Sequence, residues 1–126
     1  MKTVINAEKG AKAIGPYSHA NTFESLVFTS GQIPVIPETG VVVEGGISAQ
    51  SMQALLNLKV VLEAAGANVD TVLKTTCFLA EIADFPAFNA AYAEVFNKDF
   101  PARSCFAVKD LPMGVLVEVE AIAHKA

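Results

Sequence analysis

Ala102-Arg-Ser-Cys-Phe-Ala-Val108 and Val115-Leu-Val-Glu-Val-Glu-Ala-Ile-Ala-His124, joined by the loop Lys109-Asp-Leu-Pro-Met-Gly114, decide how the rest of the chain is read. Both runs are rich in apolar and β-branched residues, so each reads as a strand. The short loop suggests an antiparallel pair. In a regular hairpin Cys105 lies opposite Glu118 and Arg103 opposite Glu120, and a bulge would shift this by one. One cation and two carboxylates would then share a patch.

Working backwards, Asp84-Phe-Pro86 opens a helix, with Asp84 as cap and Pro86 in the first turn. Phe85, Phe88, Tyr92 and Phe96 recur at helical spacing, which a core-facing stripe explains. Val72 to Leu79 is a strand. Ser48 to Ala65 is a helix, with Ser48 as N-cap and Gly66 as stop. Its apolar positions are Leu55, Leu58, Leu62 and Ala65, and Gln50, Gln53 and Asn57 form a polar stripe. Leu26 to Ile33 is a strand, and Val41 to Val43 is a second, short one beyond a turn at Pro34–Gly40. The order strand, helix, strand, helix, strand, strand predicts one α+β domain over residues 1–126, a mixed sheet with two helices on one face.

Composition limits the partners. Hydrophobic residues make up 52% and charged residues 17% of the chain, against roughly 25% charged in typical domains. So little polar surface suggests an oligomer, the alternative being a monomer with an Ala- and Val-rich core. The formal net charge is −4 and no Lys/Arg run occurs, which argues against nucleic acid. No apolar run is long enough for a membrane span, and Met1–Lys12 lacks the apolar centre of a secretory signal. Cys77 and Cys105 sit in apolar strands, as reduced cytosolic thiols would. With no CxxC and with His19 and His124 isolated, no metal site is expected.

Arg103 is the residue that composition does not explain. An arginine among apolar strand residues needs an anion, and its planar fork suits a carboxylate. Spacing leaves two readings open: an internal ion pair with the Glu118/Glu120 strand, or a site for an external acid with one glutamate free to handle water. Gly31 in Thr29-Ser-Gly-Gln-Ile-Pro34 marks either a bulge or close approach by a ligand. Tyr17 follows a Gly15-Pro16 turn, and Asn89 is either a packing residue or a ligand donor. Cys105 has no neighbouring base in sequence to activate it, and His19 alone reads most simply as a structural residue.

Taken together, Ala13-Ile-Gly-Pro-Tyr17, Thr29-Ser-Gly-Gln-Ile-Pro34, Lys74-Thr-Thr76, Asn89 with Tyr92, Phe100-Pro-Ala-Arg-Ser104 and Val117-Glu-Val-Glu-Ala-Ile-Ala123 resemble the RidA/YjgF family along nearly the whole chain. The resemblance implies a chorismate-mutase-like fold, a homotrimer with clefts between subunits, and hydrolysis of 2-imino acids and their enamine tautomers to 2-oxo acids and ammonia. No cofactor is implied. Arg103 would grip the substrate carboxylate, Glu118 would activate water, and Tyr17, Ser30, Gly31, Asn89 and the Cys105 backbone would line the pocket. His19 stands where relatives often have Gln, and the stretch from Asn89 to Arg103 is short, so the pocket mouth is expected to differ. A non-catalytic trimer that binds 2-oxo acids is the main alternative. A ribonuclease or translation inhibitor fits the acidic balance least.

Overall fold

The computed structural model describes residues Met1–Ala126. Six strands form one mixed sheet: β1 (Thr3–Ile5), β2 (Ala20–Phe23), β3 (Leu26–Thr29), β4 (Val72–Leu79), β5 (Ala102–Ala107) and β6 (Val117–His124). Helices α1 (Gly46–Ala64) and α2 (Phe85–Val95) interrupt the series. The spatial order is β1-β2-β3-β6-β4-β5. β1 and β2 were not expected from sequence. The Leu26–Ile33 strand stops at Thr29, beyond which Gln32 makes only an isolated bridge to Val119. The expected strand Val41–Val43 is a single bridge from Val42 to Val35.

The last two strands do not pair with each other, which overturns the hairpin. β4 lies between them, parallel to β5 and antiparallel to β6. Helix α2 joins β4 to β5, and a helical crossover returns the chain parallel to the strand it left. The loop after β5, tightened by a turn at Pro112–Gly114, carries the chain past β4 to the gap beside β3. Thr75 therefore neighbours both Arg103 and Ala121, and Thr76 neighbours both Ser104 and Glu120.

Alternation along β6 sorts the two faces of the sheet. Val117, Val119, Ala121 and Ala123 are buried under the helices, while Glu118, Glu120, Ile122 and His124 point the other way. The core joins these residues to Leu55, Leu58, Val61 and Leu62 of α1 and to Phe88 and Tyr92 of α2. Helix α1 starts one turn earlier than expected. Gly45, at φ 117, is the N-cap in place of Ser48, and no side chain caps it. Its end is as expected: Gly66 takes φ 84, and the Ala67 and Gly66 N–H groups donate to Leu62 and Glu63, which closes a Schellman motif. Asp84 likewise makes no side-chain cap to α2, although Pro86 sits in its first turn. No helix is long and apolar enough to cross a membrane.

Candidate functional site

Arg103 extends from β5 toward α2 and is half-buried. Its Nη1 donates to Asn89 Oδ1 at 2.8 Å. The guanidinium carbon lies 4.8 Å from the ring centre of Tyr92, 5.4 Å from Phe85 and 5.9 Å from Phe88, all within reach of a cation–π attraction. The aromatic stripe of α2 is thus core, as read from sequence, and also the platform on which the arginine rests. Tyr92 is itself held, because its hydroxyl shares a 2.8 Å hydrogen bond with buried Thr75 Oγ1.

Asn89 is the guanidinium's one side-chain hydrogen-bond partner. Of the two open readings, the ion pair with the β6 carboxylates does not form: Arg103 neighbours Thr75 on the helix side of the sheet, whereas Glu120 and Glu118 neighbour Thr76 and Phe78 on the other. The guanidinium opens into a cleft of about 330 Å³ lined by Asn89, Tyr92, Ala93, Phe100, Pro101 and Arg103. Cys105 shares the helix-side face of the sheet and pairs across the ladder with buried Cys77. Burial pushes the Cys105 thiol above its ordinary range, with Arg103 opposing, and pushes Cys77 up to about 12. Neither sulfur is an activated thiolate at neutral pH.

Glu118 faces a second cleft, of about 380 Å³, with Glu120, Tyr17, Ser30, Gly31 and Ile33 among its walls. Burial raises the Glu118 carboxyl above the usual carboxylate range, and the charge of Glu120 adds to this. The backbone of Gly31 lies against that carboxylate. A Cβ there would collide with Glu118 Oε2 and stand 2.9 Å from its Cδ. What approaches the Gly31 backbone closely is thus a side chain of the same protein, Glu118. Ser30 Oγ donates to Ser18 O at 2.6 Å, and the Ile14 N–H donates to the Tyr17 hydroxyl at 3.2 Å. His19 lies beneath this loop as a structural residue, its Nδ1 accepting the Ala7 N–H at 2.9 Å.

The seven residues expected at the site thus fall into two groups. Arg103, Asn89 and Cys105 belong to the helix face, and Glu118, Tyr17, Ser30 and Gly31 to the open face. The two clefts have no lining residue in common. Phe85, Phe88 and Tyr92 were not expected near the arginine. The signal was their place on the crossover between β4 and β5, which lays that helix over both strands. No three His, Cys, Asp or Glu side chains gather as metal ligands would.

Residues 7–125 match the family model described as Endoribonuclease L-PSP. The chain belongs to this family, the RidA/YjgF family. It is 48% identical to the 2-iminobutanoate/2-iminopropanoate deaminase of Salmonella typhimurium, over 98% of each chain. Among solved RidA/YjgF structures, the yeast YEO7 protein superposes with a TM-score of 0.97 at 45% identity over the full length of both chains. The TdcF protein of E. coli, solved with bound serine, superposes with a TM-score of 0.93 at 38% identity, covering 98% of this chain and 99% of that one.

Proposed function

We propose that this protein hydrolyses 2-imino acids, such as 2-iminobutanoate and 2-iminopropanoate, to 2-oxo acids and ammonium. The observation that carries the reading is Arg103: a guanidinium set on three aromatic rings, facing a cleft and lacking a carboxylate partner within the chain. The deaminase name of a relative at 48% identity supports the same reaction.

Arg103 binds the substrate carboxylate through its free donors. The protonated imine carbon is already electrophilic, so the site has only to place a water and take its proton. Glu118 is that base, and its raised pKa brings it nearer to neutrality. Water oxygen bonds to C2 as Glu118 accepts a proton, giving a carbinolamine. The proton returns to the amine nitrogen, the C–N bond breaks as Glu118 takes the hydroxyl proton, the departing ammonia takes up that proton as ammonium, and C2 becomes the 2-oxo carbon. Tyr17, Ser30, Gly31, Asn89 and the Cys105 backbone line the substrate.

A single small acid cannot reach Arg103 and Glu118 on opposite faces of one sheet. The reading therefore requires that the Arg103 cleft of one subunit adjoin the Glu118 cleft of the next. Two different surfaces in contact make a head-to-tail interface, and a ring of three closes it with three equal sites. The free edge of β5 and the exposed Phe100 and Phe106 beside it suit such a contact. Release of 2-oxobutanoate and ammonium from freshly generated 2-iminobutanoate, faster than in buffer, tests the activity. Tight 2-oxobutanoate binding with no acceleration would instead favour a non-catalytic acid-binding trimer.

A further inference from the structure

Asn57 departs from the pattern of its own helix. It belongs by spacing with Gln50 and Gln53, yet it is 1% exposed among Ala54, Leu55, Leu58 and Val61. Leu or Ala there would match its neighbours and avoid desolvating an amide. The side chain is fully engaged. Nδ2 donates to Ile33 O at 2.9 Å and to Val35 O at 2.8 Å, and Oδ1 accepts from Gln53 Nε2 at 2.9 Å.

These two carbonyls flank Pro34, in a segment that belongs to no regular strand. The same segment is tied to β6 a few residues earlier, where the Gln32 N–H donates to Val119 O at 2.7 Å and Gln32 O accepts the Val119 N–H at 3.1 Å. Gly31 and Ile33 line the Glu118 cleft on either side of that tie. The distance from the Gly31 backbone to the Glu118 carboxylate is therefore fixed from two sides. β6 holds the segment in the plane of the sheet, and α1 holds it from behind through one amide.

We propose that Asn57, oriented by Gln53, is a positioning residue that sets the Gly31–Ile33 segment against Glu118 and so controls how much water reaches that carboxylate. The inference rests on the reading of Glu118 as the base. Other charged or titratable groups facing Glu118 are Glu120 from its own strand and Tyr17 from the loop before β2. The remaining walls, Ile14, Ser30, Gly31, Ile33 and Pro112, carry none. Release of the segment hydrates Glu118 and lowers its pKa, since burial is the main cause of the upward shift.

The test compares Asn57→Ala, Gln53→Ala and, as a core control, Leu58→Ala. The readouts are the imine assay across pH, carbon-13 titration of the Glu118 carboxyl and thermal unfolding. Asn57→Ala is expected to lower kcat, corrected for folded fraction, by about ten- to a hundredfold, with KM within roughly threefold. The acid limb of the rate profile and the Glu118 titration both move to lower pH. Gln53→Ala moves them the same way by less. Leu58→Ala lowers Tm but leaves the titration at its wild-type position. An unchanged Glu118 titration in Asn57→Ala, or an equal shift in Leu58→Ala, overturns the proposal. If Asn57→Ala does not fold, an unchanged titration in Gln53→Ala overturns it. Should the wild type hydrolyse no imine, the functional reading fails, and the carboxyl titration still decides the role of Asn57.

Discussion

The Arg103 cleft and the Glu118 cleft lie on opposite faces of one sheet and are organised by different means. The arginine stands on a helix whose aromatic residues are already core, and Thr75 on β4 fixes Tyr92 in turn. Packing that stabilises the fold thereby orients the cation at little additional cost. The glutamate looks onto an irregular segment held by isolated bridges to β6 and Val42, by the Ser30 N–H donating to His19 O, and by side-chain hydrogen bonds. Regular structure preorganises the half assigned to binding, whereas loop backbone preorganises the half assigned to proton transfer. Close approach of backbone to carboxylate at Gly31 needs a segment free of the pleat, because a side chain there would occupy the space.

If the first half binds and the second reacts, substitutions should separate cleanly. Arg103→Ala is expected to give the largest loss, about a thousandfold in kcat/KM, from losing a charge-assisted clamp worth about 2–5 kcal/mol. It should also abolish 2-oxobutanoate binding in calorimetry. Arg103→Lys should recover only part of this, since an ammonium lacks the planar fork. Retained 2-oxobutanoate affinity in Arg103→Ala would place the carboxylate elsewhere. Glu118→Gln comes next, with kcat down by about a hundredfold and 2-oxobutanoate affinity unchanged. Stopped-flow kinetics showing full kcat would remove Glu118 as the base.

Subunit mixing sharpens the comparison further. Arg103→Ala and Glu118→Gln chains are each nearly inactive alone. Unfolded together and refolded at equal amounts, they should regain activity in about one quarter of sites, those pairing an intact Arg103 half with an intact Glu118 half from the neighbouring chain. Native mass spectra identify the mixed trimers. Mixed trimers that stay inactive would mean that the two halves do not meet between subunits.

Much of this division could be read from the chain, and the part that could not has a physical reason. Arg103 stood out because a guanidinium in an apolar strand demands an anion, and β6 declared its two faces by alternation. Helix α2 and the Gly66 stop followed from periodicity and turn chemistry. The pairing of β5 failed because a short loop favours a hairpin only when no other strand competes. Here β4 already carries β5 through the α2 crossover, and nothing local in Lys109–Gly114 reports that. The failed pairing also merged two faces into one patch, placing the arginine and both glutamates together. The burial of Asn57 was not legible for a related reason: spacing places it in a polar stripe, and the loop carbonyls that accept from its amide are more than twenty residues away.

The smallest expected effect is on stability, and its sign follows from the same carboxylate. The Glu118 pKa is raised in the folded protein by burial and by Glu120. The folded state therefore holds a proton that the unfolded chain, with a glutamate pKa near about 4.3, has already released. Stability attributable to Glu118 is fully present below the unfolded pKa and is lost as pH rises through the folded one. Above its folded pKa the charged, half-buried side chain opposes folding, the reverse of an ion-paired carboxylate. Glu118→Gln, which cannot ionise, should accordingly raise Tm at pH 7, and the gain should shrink toward zero below about pH 4, where both side chains are neutral. Thermal unfolding of the two proteins across that range measures it. A lower Tm for Glu118→Gln at pH 7 would mean that the charged form is favoured by its surroundings, and the glutamate would then be a poorer proton acceptor than the assigned chemistry needs.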